Sequence, residues 1–148
     1  KIKNRARLYK INNREKCNKY NNEWLKNKLR TDPVFHSAHL IRRAINYAYN
    51  KLGIWKQEKT FDMLGYTSQD LYTHLLKYVN KPCECCGITL VDKPKNYDIE
   101  HIIPLGNAKT KEDLVKLNQL PNLRLLCCSC NYKKASEDKK LINKLRKG

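Results

Sequence analysis

The sequence predicts an α+β fold: a basic, mainly helical N-terminal region followed by a small core of strand, loop, strand and helix that is stapled by cysteines. Three observations carry this expectation. Apolar residues recur at helical spacing from Ala38 to Leu52, two short apolar runs surround Glu100 and Arg124, and two C-x-x-C pairs, Cys83 with Cys86 and Cys127 with Cys130, bracket the stretch between those runs. Composition divides the chain into a basic helical region, residues 1–60, and the stapled core, residues 61–148.

Residues 1–30 hold eleven Lys and Arg against Glu15 and Glu23, with Tyr9, Ile11, Tyr20, Trp24, Leu25 and Leu29 scattered among them. That is too polar for a core and reads as a solvent-facing basic helix or an arm that orders on a polyanion. Thr31-Asp32-Pro33 is a break and restart: Thr31 or Asp32 can cap the next helix, and Pro33 suits a first helical position, where no N–H is needed. Ala38, Ile41, Ile45, Ala48 and Leu52 then follow at steps of three and four, and Gly53 offers the left-handed stop. His36 and His39 on this helix have no third ligand nearby and read as polar-face or phosphate-contacting histidines.

Gly65-Tyr66 reads as a turn and Thr67-x-x-Asp70 as a capping box that opens a helix through Leu71, Leu75 and Val79, closed by Asn80-Lys81-Pro82. His74 on this helix is read as structural. Ile99, Ile102 and Ile103 around Glu100-His101 predict a short buried strand ending at Pro104. A polar excursion with a short amphipathic helix (Leu114, Leu117, Leu120) leads through Pro121-Asn122 to a second strand, Leu123-Arg124-Leu125-Leu126. From Asn131 onward, Leu141, Ile142 and Leu145 predict a terminal helix.

The C-terminal half holds six of the seven cysteines and is too small to fold comfortably on apolar burial alone. An odd count, the C-x-x-C grouping and the lack of a signal-peptide pattern favour metal over disulfides, and the two pairs supply the four sulfurs of a tetrahedral Zn²⁺ site. Cys85 and Cys128 neighbour these ligands and could substitute for them; register and Gly87 favour Cys83 and Cys86. Cys17 reads as unliganded. With no apolar run near the roughly 20 residues a membrane helix needs, the expectation is a soluble, intracellular protein with reduced thiols.

A net charge of +17, from 31 Lys and Arg against 14 Asp and Glu, exceeds what solubility asks of such a chain and points to a polyanionic partner. Charge alone does not separate an enzyme from a packing protein; the residues between the cysteine pairs do. Glu100 next to His101 puts a carboxylate beside an imidazole inside the stapled loop.

Four motifs in order, Cys83-x-x-Cys86-Gly87, Glu100-His101-Ile102-Ile103-Pro104-Leu105, Asn122-Leu123-Arg124-Leu125-Leu126-Cys127 and Cys130-Asn131-x-x-Lys134, resemble the HNH endonucleases, whose core is the ββα-metal fold. The resemblance covers roughly residues 82–136. More loosely, Leu64-Gly65-Tyr66-Thr67 with its Leu-rich helix, and the helix after Asp32-Pro33, look like segments that precede this core in phage and intron-associated members.

The resemblance implies roles residue by residue. His101 becomes the general base that deprotonates the attacking water, which suits an imidazole that titrates near neutral pH. Glu100 takes the acidic metal-ligand position, where the family more often has Asp. Asn122 takes the middle Asn, whose side chain or backbone orients the base, and Asn131 stands where the last histidine usually is, the HNN variant. A carboxylate with an amide oxygen is a hard pair that favours Mg²⁺ or Mn²⁺ over the structural Zn²⁺.

The implied reaction is hydrolysis of double-stranded DNA to 5′-phosphate and 3′-hydroxyl ends. Arg124, Lys133 and Lys134 are candidate phosphate contacts beside the site, and Arg42 and Arg43 candidate DNA contacts on the helix after Pro33. A double-strand break would take a homodimer or two successive nicks. The setting expected from the family is a phage, mobile-intron, homing or restriction system, in a bacterial cytoplasm or phage-infected cell. The competing expectation is a zinc-stapled nucleic-acid-binding module without catalysis; Glu100, His101, Asn122 and Asn131 together argue against it.

Overall fold

The computed structural model describes residues 2–93 and 96–145, and its N-terminal third is helical throughout: α1 spans Ile2–Asn12, α2 Arg14–Thr31 and α3 Pro33–Leu52. Helix α2 has no buried residue, as its composition predicts, and meets α3 through Trp24, whose ring packs edge-on against Phe35 at 5.8 Å. The break between them is built as expected. Asp32 leaves the helical region, its side chain accepts the Phe35 N–H at 2.8 Å, and Pro33 takes the first turn of α3. Gly53 at φ 69° ends the helix in the left-handed region, where a side chain would be strained.

One face of α3 carries Ala38, Ile41, Ile45, Ala48 and Tyr49 into the core, while Arg43, Asn46, Tyr47 and Asn50 stay exposed. The core receives Leu64 from α4 (Thr60–Leu64), Leu71 and Leu75 from α5 (Ser68–Leu75), Leu114 from α6 (Lys111–Leu117), and Leu123, Leu125 and Leu126 from the sheet. Each fully buried Leu or Ile here contributes roughly 1.5–3 kcal/mol. The hydrophobic cluster is continuous across position 60, since Ile41 and Ile45 share it with Leu71 and Leu125.

Helix α5 opens on the capping box that Thr67 and Asp70 predict. It stops at Leu75, short of the expected Val79, because the chain tightens there: Tyr78 N–H bonds to Leu75 O at 3.0 Å and Val79 N–H to Leu76 O at 3.3 Å. The first cysteine turn follows. Gly87, at φ 77°, returns its N–H to Cys83 O at 2.8 Å, and Cys83 N–H bonds to Ile88 O at 2.8 Å.

The sheet has two antiparallel strands, β1 (Tyr97–His101) and β2 (Leu123–Cys127), with Tyr97 opposite Cys127, Glu100 opposite Arg124 and His101 opposite Leu123. The expected strand to Pro104 ends instead at His101, leaving Ile102 and Ile103 exposed. Asn122 causes this. Its backbone carbonyl accepts the Ile102 N–H at 2.9 Å, and its side-chain oxygen accepts the Ile103 N–H at 2.8 Å, so the chain curls around one residue. Helix α7 (Cys128–Leu145) starts three residues before the expected Asn131, so that Cys130 lies in its first turn. Ile142 is half-buried and Leu141 exposed; the side chain of Leu145 lies outside the described set.

Candidate active site

The two cysteine turns converge. The sulfurs of Cys83, Cys86, Cys127 and Cys130 all lie within 4.8 Å of one another, and those of Cys86 and Cys127 are 3.6 Å apart. Tetrahedral zinc, with bonds of about 2.3 Å, spaces its sulfurs by roughly 3.8 Å, so the cluster fits that ion. The Cys83 thiol sits at about 6: burial pushes it up, but hydrogen bonds from the backbones of Cys127, Cys85 and Cys86 outweigh burial and favour the thiolate. Cys85 and Cys128 lie outside the cluster. Cys85 is exposed, and the half-buried Cys128 thiol is pushed up to about 11 by burial and by Asp98.

Next to this staple, β1 ends and α7 begins side by side. Helical spacing lines up Asn131, Lys134 and Asp138 on one face of α7, and these three, with Glu100, His101 and Tyr47, line a cavity of about 530 Å³. Sequence therefore named His101, Glu100, Asn131 and Lys134 as site residues, and the fold brings them to one cavity.

His101 is held by a residue that sequence reasoning missed. Its Nε2 lies 2.9 Å from Oδ1 of Asn118, a side chain with no exposure, which in turn donates from Nδ2 to Leu114 O at 2.7 Å. The tyrosine hydroxyl of Tyr66 donates to the Asn118 carbonyl at 2.8 Å, fixing the backbone as well. Burial pushes the His101 pKa below its ordinary 6.5, against the opposing influence of the Asn118 bond and the Glu100 charge.

Asn122 does not touch the imidazole through any described hydrogen bond; it pins the loop after β1, donating also to Ile103 O at 3.1 Å and Leu117 O at 2.7 Å. It thus sets where β1 stops, and so where His101 sits, through the backbone. Asn118 lies in a leucine-rich helical stretch where nothing in the spacing marks it. Asp138, seven residues after Asn131, could have been found from the helical period.

Glu100 is 3% exposed and carries a cation on each oxygen: Arg124 Nε at 2.7 Å and Lys134 Nζ at 2.8 Å. Lys134 also pairs with Asp138 at 2.6 Å and reaches His101 O at 3.4 Å, while Arg124 binds Glu84 as well. Each ionised carboxylate oxygen has a second lone pair, so the pair Glu100 and Asn131 still offers hard oxygen donors toward the cavity. Of the expected DNA contacts, Lys133 is exposed, Arg43 lines an adjoining cavity with His101 and Asn131, and Arg42 lies over the Phe61 ring at 5.0 Å.

A two-stranded antiparallel sheet followed by a helix, with four clustered cysteines that could hold a metal ion, defines a small α+β domain. Residues 83–137 match the model of the family described as HNH endonuclease. Comparison with curated proteins and with solved structures finds no match. Among the described residues no helix is long and apolar enough to cross a membrane.

Proposed function

We propose that the protein is a metal-dependent endonuclease that hydrolyses phosphodiester bonds of double-stranded DNA, with His101 as general base. The observation that carries this reading is the Asn118 anchor on His101, beside a buried carboxylate and an amide in one cavity. Since the Asn118 amide nitrogen is committed to Leu114 O, its oxygen faces the ring; Nε2 carries the proton and Nδ1 keeps the lone pair. A depressed pKa keeps that lone pair available at neutral pH. Nδ1 takes a proton from water as the water oxygen bonds to phosphorus and the P–O3′ bond breaks; O3′ takes a proton from solvent, leaving 5′-phosphate and 3′-hydroxyl ends.

Glu100 and Asn131 would hold a Mg²⁺ or Mn²⁺ ion, whose charge, when bound, stabilises the pentacovalent phosphate and the departing oxygen. Cys83, Cys86, Cys127 and Cys130 would hold Zn²⁺ as a staple. Lys134, Arg124, Lys133 and Arg43 supply positive charge near the phosphate path, and the charge of +17 favours a long polyanion. One cavity of this kind cuts one strand, so a double-strand break takes a homodimer or two nicks.

The test is supercoiled plasmid with Mg²⁺, Mn²⁺ or EDTA, run beside His101→Ala. Open-circular or linear product that needs both the ion and His101 is the expected result. Retarded but uncut DNA in every lane would overturn the enzyme reading in favour of a binding module.

A further inference from the structure

Helix α3 has a second face, which the core does not use and which adjoins the catalytic cavity. Arg43, Asn46, Tyr47 and Asn50 follow at steps of three, one and three, so they form one stripe, and all four are exposed. The same four line a cavity of about 610 Å³ whose other wall includes Asp98, His101 and Asn131. Whatever lies on this stripe therefore lies against the base.

The chemistry of the stripe differs from that of the other basic surface. On α2, Lys and Arg dominate and nothing is buried, which suits sequence-blind attraction to phosphates. On the α3 stripe only Arg43 is charged. Two amides do nothing for long-range attraction to a polyanion, yet Asn pairs bidentately with adenine N6 and N7, as Arg does with guanine O6 and N7. Tyr47 adds a ring 72% exposed, a costly position for an aromatic group unless a flat, polar-edged surface covers it. Arg42, the neighbouring arginine, is spent on the Phe61 ring, so Arg43 is the one that points to this cavity.

We propose that Arg43, Asn46, Tyr47 and Asn50 read the edges of base pairs in duplex DNA immediately beside the cleaved phosphodiester, so that α3 makes the cut sequence-dependent. This deepens the endonuclease reading and rests on it for the position of the cut. Seven residues of helix span about 10.5 Å. At about 3.4 Å per base pair, the stripe covers roughly three to four pairs.

The experiment uses His101→Ala protein to enrich binding sequences from a randomised duplex pool, alone and with Asn46→Ala plus Asn50→Ala or with Arg43→Ala added. A motif of about three to four pairs is expected with the parent, flattened at adenine positions by the double change and at a guanine by the arginine change, with total affinity lowered less than about tenfold. The changes at Arg43, Asn46 and Asn50 are at exposed positions, and thermal melting unchanged from the His101→Ala parent establishes that the variants fold. No motif with the parent, or an identical motif with the variants, overturns the proposal.

Wild-type protein with Mg²⁺ on the enriched duplex supplies a separate readout. Cuts within or next to the motif are expected; cuts more than one helical turn away overturn the placement. If no cut occurs, the nuclease reading falls, while the enrichment still decides whether α3 reads bases.

Discussion

Nε2 of His101 and Oδ1 of Asn118 are 2.9 Å apart, and the other end of that amide donates to Leu114 O at 2.7 Å, so a helix carbonyl decides which end of the amide meets the His101 ring. The relay runs from backbone to amide to imidazole without a charged group. An amide orients the ring but stabilises the imidazolium less than a carboxylate would, so burial still holds the His101 pKa below 6.5.

Asn118→Leu is therefore expected to lower kcat roughly ten- to hundredfold, a part of what a positioned general base supplies, with zinc content unchanged. Asn118→Asp keeps an acceptor but adds a charge that favours His101 in its protonated form. Wild-type activity should fall below pH 6.5, because burial depresses the imidazole, and the Asp variant should lose activity at a higher pH. Superimposable pH–rate profiles for the two proteins would remove Asn118 from the mechanism.

Glu100 makes a second relationship measurable. It is buried with Arg124 on one oxygen and Lys134 on the other, so deleting one cation strands part of its charge. Arg124→Met is expected to cost about 3 kcal/mol in urea unfolding, the low end for breaking a buried pair because Lys134 remains. Adding Glu100→Gln should return part of that loss. A double-mutant cycle with no coupling between positions 100 and 124 would show that the pair is not a unit.

How much of this was legible in the sequence follows from the range of the interactions. The Asp32-Pro33 start, the Gly53 stop and the Thr67–Asp70 capping box are local chemistry, and all three are built as read. The cysteine cluster was legible too, since the C-x-x-C spacing already encodes two turns. The strand end was not: Ile102 and Ile103 have strand character, but Asn122, distant in sequence, takes their N–H groups. Asn118 was hidden for the same reason, because its partner lies seventeen residues away and becomes a neighbour only once β1 and α6 pack. The Glu100 clamp needed the register of β1 against β2, which places Arg124 opposite it.

The histidines of α3 give a pH prediction for stability. His36 is buried between α3 and β1, with its ring 6.2 Å from Tyr97, and faces Asp92 and Asp98 from the sheet side and His39 from its own helix. Burial lowers its pKa below 6.5, more than the two aspartates raise it. The unfolded chain therefore binds more protons as pH falls through 6.5, and stability must decline in that direction and be fully present above it. Urea midpoints should drop from about pH 7 toward pH 5, with a shallower drop in His36→Gln. His39 and His101 shift the same way, so the slope should shrink without vanishing. An unchanged slope would mean that the His36 environment is not the one described.

The staple predicts a coupling between metal and fold. Zinc needs four thiolates, and Cys83, at about 6, is poised for deprotonation, while the hydrogen bonds that the Cys130 S–H donates to the sulfurs of Cys127 and Cys86 hold Cys130 in its protonated form until an ion replaces the proton. Binding must therefore release protons and weaken as pH falls. Cys130→Ser removes a ligand in the first turn of α7, and the joint between β2 and that helix should open; loss of zinc by atomic absorption and loss of the cooperative thermal transition in the domain are expected together. Cys128→Ser, two residues earlier and outside the cluster, should keep both. Zinc retained at full stoichiometry in Cys130→Ser, or lost equally in Cys128→Ser, would mean that a different set of sulfurs holds the ion.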